Sequence, residues 1–417
     1  MTNIIYFLLC TLIFLLPILP SKIMLFSFPF SSDYIFIIML LVYIAKLLIG
    51  SKDRYKFKKY VIDALKNPVT LSMLALFILM IISVSYSLEK GLAARESVRF
   101  FSYLFMFFII KYELNEDKYY YGILNSYICS SVLVGVIGIY QYFSGFGLTD
   151  EFKTEFAFGS KFRIASTLEN PNSLAGFMIL CIFPVIMLLL KTKKKTKKVM
   201  YAACLGLFIC NLILSFSKNG WIALAIGGFV LILTVNWKYI YGFIIFAIMS
   251  LFIPVVTKRL KDFMNPDQYA SRIKHWKVAI LMIKDHPLFG VGNGNYVSYY
   301  DSYIAKYPEL DYAYKKRFPV HNSYLKIESE LGILGIISFI SFIFLSVKSM
   351  AKFIRWKEDS YYNLFFIGSF ASIIAFYCMN FVDNMFFVPK VTTFFWIIFA
   401  VAQGIINRRE NKIKIIN

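Results

Sequence analysis

The chain's three histidines, His275, His286 and His321, all lie in or at the edge of one polar stretch. The segment His321 to Gly335, HNSYLKIESELGILG, sets His321, Asn322, Tyr324 and Glu328 ahead of Gly332 and Gly335. An imidazole and an amide at a helix start, where burial is partial, provide a group that exchanges a proton near neutrality. The competing reading is an interfacial histidine whose hydrogen bonds are simply satisfied. Upstream, Ser271 to Tyr296 reads SRIKHWKVAILMIKDHPLFGVGNGNY. Its first half, Arg272 to Lys284, has Trp276, Ala279, Ile280 and Ile283 at helical spacing and is expected to be an amphipathic helix on a membrane surface. Asp285-His286-Pro287 ends that helix, and the run Gly290 to Asn295 (GVGNGN) follows. Such a run can cradle phosphate, but no strand precedes it and the Lys-Ser/Thr of a nucleotide site is missing. Gly290 and Gly292 are therefore read as points of close backbone approach, or as a tight turn.

Neither metal nor cofactor is expected. Asp285, Asp301 and Asp311 are scattered, and Glu328 and Glu330 are placed on different faces of one helix. The six cysteines lie in or beside apolar runs with no metal or disulfide spacing, and are read as packing groups.

The elements that must position these residues are membrane helices. Hydrophobic residues make up 59% of the chain and charged residues 17%, with a mean hydropathy of +0.64. A soluble fold cannot cover its surface with so few polar groups. The apolar runs are continuous rather than alternating, which favours helices over a barrel. A ruler of about 20 residues per span gives runs near 3–20, 33–50, 70–88, 98–112, 122–143, 172–191, 199–217, 219–236, 239–256, 328–348, 362–384 and 391–407, about twelve in all. The first run has no basic start and no small-residue cleavage site after it, so it is read as a span. Basic clusters stand at Lys52 to Lys59, Lys191 to Lys198, Lys348 to Lys357 and Arg408 to Lys414. Twelve spans with both termini inside put all four on the cytoplasmic side. The formal charge of +21 is then a topology signal and an attraction to anionic lipid, and nucleic-acid binding is excluded. One polytopic domain, 1–417, is expected. Its outward segments run from about Ser144 to Pro171 and from about Thr257 to Val320, and the larger, taken as 257–327 with the helix start that follows, carries much of the site.

These residues resemble the signature of the O-antigen ligase and polymerase superfamily. His321, Asn322 and Gly332 match its His-Asn followed by glycine, with Gly335 in the further small position. Arg272, Trp276, His286, Pro287, Leu288, Gly290 and Gly292 match its Arg-x-x-x-Trp helix and His-Pro-Leu-x-Gly-x-Gly turn. Arg163 to Ala175, RIASTLENPNSLA, is similar to a family segment ahead of a membrane helix. Where the family has Arg-x-x-x-Leu in a short outward turn, this chain has Ser217-Lys218-Asn219-Gly220-Trp221-Ile222. Lysine keeps the charge but loses the planar fork, and a snorkelling lysine at a helix end is the competing reading.

The resemblance implies an all-α integral membrane enzyme of GT-C-like architecture in the cytoplasmic membrane, with its site facing outward. It implies glycosyl transfer from a glycan on undecaprenyl diphosphate to a sugar hydroxyl, with anomeric inversion and without metal. Arg272, helped by Lys218 and Arg163, would stabilise the diphosphate leaving group. His321 would take the acceptor proton as general base, or would merely orient the acceptor. Asn322, Trp276 and Tyr324 would line the glycan site, and Gly290, Gly292 and Gly332 would be structural. Donor and acceptor would both be lipid-linked glycans, with a chain-length regulator and a flippase as possible partners. The motifs leave polymerase and ligase open. Usage heavy in Ile, Lys, Phe, Asn and Tyr, as in AT-rich bacteria with a single membrane, inclines the reading to a polymerase. A transporter of lipid-linked oligosaccharide, from another class, would show two similar halves and charged or broken helices at mid-membrane; a membrane scaffold would leave His321 and Arg272 unexplained.

Overall fold

Asparagine or serine opens five of the long helices, and the reason is local. Each side-chain oxygen accepts a backbone N–H that has no partner inside the helix. Asn67 accepts from Thr70 at 3.2 Å, Asn170 from Asn172 at 2.8 Å, Ser217 from Gly220 at 3.2 Å and Ser360 from Asn363 at 3.3 Å. Pro68 and Pro171 occupy the first helical position after their caps.

The structure is a computed structural model and describes residues 1–19, 23–25, 28–30, 32–148, 163–252, 257, 267–312, 317–356 and 358–416. In chain order the helices are α1 (Thr2–Leu15), α2 (Ser32–Ile49), α3 (Ser51–Lys66), α4 (Pro68–Tyr86), α5 (Lys90–Phe108), α6 (Asp117–Ser144), α7 (Pro171–Lys191), α8 (Lys195–Leu214), α9 (Lys218–Val235), α10 (Ile240–Ser250), α11 (Asp267–Asp285), α12 (Tyr296–Lys306), α13 (Ser323–Met350), α14 (Lys352–Trp356), α15 (Tyr361–Met379) and α16 (Pro389–Ile416). Between α1 and α2 a short antiparallel hairpin pairs Ile23–Leu25 with Phe28–Phe30; the other regular elements of the described residues are helices, as the all-α reading expects.

Among the described residues nine helices are long and apolar enough to cross a bilayer. The three other expected runs are helical but fall short of that measure. Helix α1 has 14 residues, about 21 Å against a hydrocarbon core of about 30 Å. The run 98–112 is the second half of α5, whose first half carries Lys90, Arg95, Glu96 and Arg99. The run 239–256 yields α10, and 253–256 lie outside the described residues. The basic cluster at Lys52 to Lys59, read as a loop, is the exposed face of α3; Lys357, in the third cluster, lies outside the described residues.

Helices α7 and α16 are buried over most of their length and form the centre. Helix α15 packs on α7 and α9, and α13 packs on α4. A Cβ at Gly368 would sit 2.6 Å from the Phe183 carbonyl carbon, so glycine sets how closely α15 approaches α7.

The polar segment after α10 forms a small lobe with its own core of Val278, Ala279, Met282, Tyr296, Tyr300 and Tyr303, joined by other apolar residues of the lobe. The buried face of α11 is His275, Val278, Ala279 and Met282, at i, i+3, i+4 and i+7. This corrects the expected face of Trp276, Ala279, Ile280 and Ile283: Ile280 is exposed, because the face turns about a histidine packed among tyrosines. Residues 258–266 and 313–316 of this segment, and 149–162 of the first outward segment, are outside the described residues.

Candidate active site

His321 stands at the junction between the lobe and α13, with a left-handed φ of 54°. That conformation is uncommon for a residue with a Cβ and marks a position held by its surroundings. Two contacts hold it. The Trp276 indole N–H donates to the His321 carbonyl at 3.4 Å. Next along, Asn322 caps α13, its Oδ1 accepting from Tyr324 and Leu325 N–H at 3.0 Å each.

The imidazole faces a carboxylate that the motifs did not single out. His321 Nδ1 lies 3.4 Å from Asp383 Oδ1, in the loop between α15 and α16. That loop is fastened to the start of α13 through Asn380. Its backbone carbonyl accepts from Ser323 N–H at 2.8 Å, and its side-chain oxygen accepts from Ser323 Oγ at 2.6 Å and Phe386 N–H at 3.0 Å. Burial pushes the Asp383 carboxyl upward, but the hydrogen bond and charge of His321, the charge of Arg272 and the Asn384 N–H outweigh it and hold the group below the usual carboxylate range. Asp383 is thus an anion. An imidazole that gives its Nδ1–H to this anion keeps Nε2 as a lone-pair acceptor, the arrangement of an oriented general base.

Arg272 contributes its charge to this pair from α11. One turn earlier in the same helix, the Tyr269 ring lies 5.6 Å from Lys218 Nζ. Lys218 opens α9, and the next residue, Asn219, donates to the Met379 carbonyl at 3.0 Å, beside Asn380. The structure therefore brings Lys218, Arg272, Trp276, His321 and Asp383 to one end of the bundle. Arg163 has a structural setting: Nε donates to the Ser215 carbonyl and a terminal nitrogen to Asn172 Oδ1, both at 3.0 Å, and Asn172 Oδ1 also accepts from Ser217 Oγ at 2.9 Å. It ties the 163–172 segment to the turn that presents Lys218. Tyr324 turns inward, its hydroxyl donating to the Tyr377 carbonyl at 3.0 Å and its ring stacked on Phe381 at 4.2 Å.

His275 sits next to the site, its ring 6.1 Å from that of His321 and 4.5 Å from that of Tyr312. Burial first, then the charges of His321 and Arg317, push its pKa down to about 4. It is a neutral core group. His286 is exposed at the end of α11.

The glycine run docks on a break in α13. Gly332 has φ 66° and ψ −165°, outside helical space, and the neighbouring backbone groups pair with the loop: Val291 N–H with Ser329 O, Gly292 N–H with Glu330 O and Ile333 N–H with Pro287 O, each at 2.9 Å. A Cβ at Gly290 would lie 2.6 Å from the Glu330 carbonyl oxygen, and one at Gly332 2.6 Å from Phe289 N. Buried Glu330 accepts from Gly294 N–H at 2.9 Å and Tyr296 N–H at 3.3 Å and pairs with Lys326 one turn earlier. The loop N–H groups that could have cradled phosphate are thus committed to protein. Beside this junction lies a small pocket of about 40 Å³, lined largely by apolar side chains such as Met73, Phe100, Phe342 and Phe386, with Asn293 and Glu330 among its polar lining.

Asp383 and Glu330 were missed. The signal for Asp383 was available: the expected span 362–384 contained it, and an ionisable residue inside a span is a reason to suspect function. The helix in fact ends at Met379. For Glu330 the signal was Lys326 four residues earlier.

Residues 202–340, about a third of the chain, match the family model described as O-antigen ligase. The matched stretch contains Lys218, Arg272, Trp276, Gly290, Gly292, His321, Asn322, Tyr324 and Gly332, and excludes Arg163 and Asp383. It supports the superfamily to which the motifs pointed, whose members are glycosyltransferase-like enzymes, and together with the apolar helices it marks an integral membrane protein. No curated protein matches the chain.

Proposed function

From the O-antigen ligase family region, we propose that this protein is a membrane glycosyltransferase that polymerises undecaprenyl-diphosphate-linked repeat units of a surface polysaccharide on the outer face of the cytoplasmic membrane. The observation that carries the reading is the His321–Asp383 pair set within the field of Arg272. His321 Nε2 takes the proton of the acceptor hydroxyl as its oxygen attacks the anomeric carbon. The bond from that carbon to the diphosphate oxygen breaks, and the electron pair leaves on the diphosphate. Arg272 and Lys218 stabilise the growing negative charge, so the reaction needs no metal. Direct displacement inverts the anomeric centre.

Asp383 keeps the imidazole in the useful tautomer and stabilises the imidazolium. Trp276, Asn322 and Tyr324 fix the backbone and helix that carry His321, and Arg163 fixes the Lys218 turn. Twelve spans with both termini cytoplasmic, in a GT-C-like arrangement, put the lobe outside, where lipid-linked glycan is presented. A chain-length regulator and a flippase are natural partners. Transfer to a terminal acceptor lipid, the ligase reading, is the alternative, and the matched family region is compatible with both.

The test supplies purified protein with the lipid-linked repeat unit alone, in EDTA. A ladder of longer lipid-linked glycans, lost in His321→Ala and Arg272→Ala, supports the polymerase. Transfer only after a separate acceptor lipid is added makes the protein a ligase. Inactivity under both conditions returns the question to transport.

A further inference from the structure

The loop between α15 and α16 uses almost every polar group it has. Asn380 spends its oxygen on Ser323 and Phe386 and its amide nitrogen on the Phe376 carbonyl at 2.8 Å. Thr392 Oγ donates to the Met385 carbonyl at 2.7 Å. Asn384 N–H donates to Asp383 Oδ1 at 2.9 Å. Against this, three atoms on two consecutive residues have no hydrogen-bond partner among the described residues: Asp383 Oδ2, Asn384 Oδ1 and Asn384 Nδ2. Both residues are buried, Asp383 8% exposed and Asn384 5%. Met385, Phe386 and Phe387 follow directly, so an apolar residue at 384 would suit the surroundings better than an unbonded carboxamide. Buried polar groups are normally bonded, and a group left without a partner costs stability.

The three atoms belong to the residues that hold His321, whose Nδ1 shares Asp383 Oδ1 with the Asn384 N–H. Their chemistry narrows the ligand. A carboxamide offers one acceptor oxygen and two N–H donors, while a carboxylate offers acceptors only. Hydroxyl groups, which donate and accept at once, complement that set. The Asp383 charge disfavours phosphate or any other anion.

We infer that Asn384, with Asp383 Oδ2, binds a hydroxyl of the acceptor glycan on the Nδ1 side of His321, remote from the hydroxyl that Nε2 deprotonates, an inference that rests on the glycosyl-transfer reading above. Asn384 Nδ2–H donates to the sugar oxygen, whose own O–H donates to Asp383 Oδ2. The pair sets which hydroxyl reaches His321, and so which linkage forms.

Asn384→Leu, which keeps the branched shape of asparagine without its polar atoms, and Asn384→Ser are compared with wild type for thermal unfolding in detergent and for transfer to a soluble oligosaccharide bearing the non-reducing end of the repeat unit. The expected result for Leu is a Tm equal to or above wild type, with the acceptor KM raised at least tenfold and donor KM unchanged. Serine, which keeps a hydroxyl donor and acceptor, recovers part of the loss. Wild-type acceptor KM in the leucine variant overturns the inference while leaving the enzyme in place. A lowered Tm in both variants also overturns it, because the amide is then a structural group. A wild-type protein that transfers nothing, to either lipid or soluble acceptor, removes the enzyme reading and this inference with it.

Discussion

Replacing Asp383 by asparagine tests the pair on which the mechanism depends. The substitution keeps size and burial but removes the anion that His321 Nδ1 meets at 3.4 Å. A hydrogen bond to a charged group is worth about 1.5–3 kcal/mol, and 1.36 kcal/mol is tenfold in rate, so losing it slows transfer by about 10- to 10²-fold. An amide can also turn its N–H toward Nδ1 and force the proton onto Nε2. The base is then blocked, and the loss grows toward the order of 10⁴ seen where an orienting carboxylate is neutralised in a histidine triad. The assay is single-turnover conversion of the lipid-linked repeat unit, with donor binding measured separately by displacement. Turnover is expected to fall at least tenfold with donor binding unchanged. Turnover within a factor of two of wild type refutes the role given to Asp383, and a loss confined to donor binding places it with the substrate contacts.

Three further outcomes follow from the same geometry. Gly332→Ala puts a Cβ against Phe289 N at φ 66° and ψ −165°, a conformation that costs an L-residue about 1–3 kcal/mol before any collision. Unfolding in detergent is expected to come several degrees earlier, and an unchanged Tm contradicts the docked-loop description. Lys326→Met leaves Glu330 charged, buried and short of its ion-pair partner, which costs about 3–5 kcal/mol. The double variant with Glu330→Met is expected to lose less than Lys326→Met alone, and denaturation midpoints of the three proteins check this. His275 is held neutral, with its pKa moved from 6.5 to about 4. Between those values the unfolded chain binds a proton that the folded protein does not, so stability is complete above about pH 6.5 and falls toward pH 4, by about 3 kcal/mol in all. A Tm-against-pH series should show this slope in wild type and a shallower one in His275→Phe.

The helices were legible wherever apolar residues run without interruption, since a span declares itself by length and hydropathy. Each of the twelve expected runs overlaps a helix among the described residues, and nine of those helices are long and apolar enough to cross a bilayer. Boundaries were less legible, because Asp383 sits in the apolar string FVDNMFF and periodicity cannot tell a helix end from the loop after it. The buried face of α11 is not legible from apolar spacing, because its first residue is His275 and only the ring of tyrosines around it makes burial favourable. Asn322 shows another limit: a side chain two residues from a capped N–H reads equally well as a ligand contact or a cap, and here its oxygen is the cap. The pairing of the glycine run with the break at Gly332 joins residues some forty positions apart. Local spacing cannot reveal which two backbones meet, although the glycines did announce that some backbone would approach closely.

The anomeric configuration of the bond formed is the measurement to make on the transfer product, by NMR coupling constants in the new disaccharide compared with those in the diphosphate donor. His321 acting as base in a direct displacement predicts inversion at that carbon. Retention requires an intermediate held on the protein or a different attacking face, and would contradict the mechanism built on His321, Asp383 and Arg272.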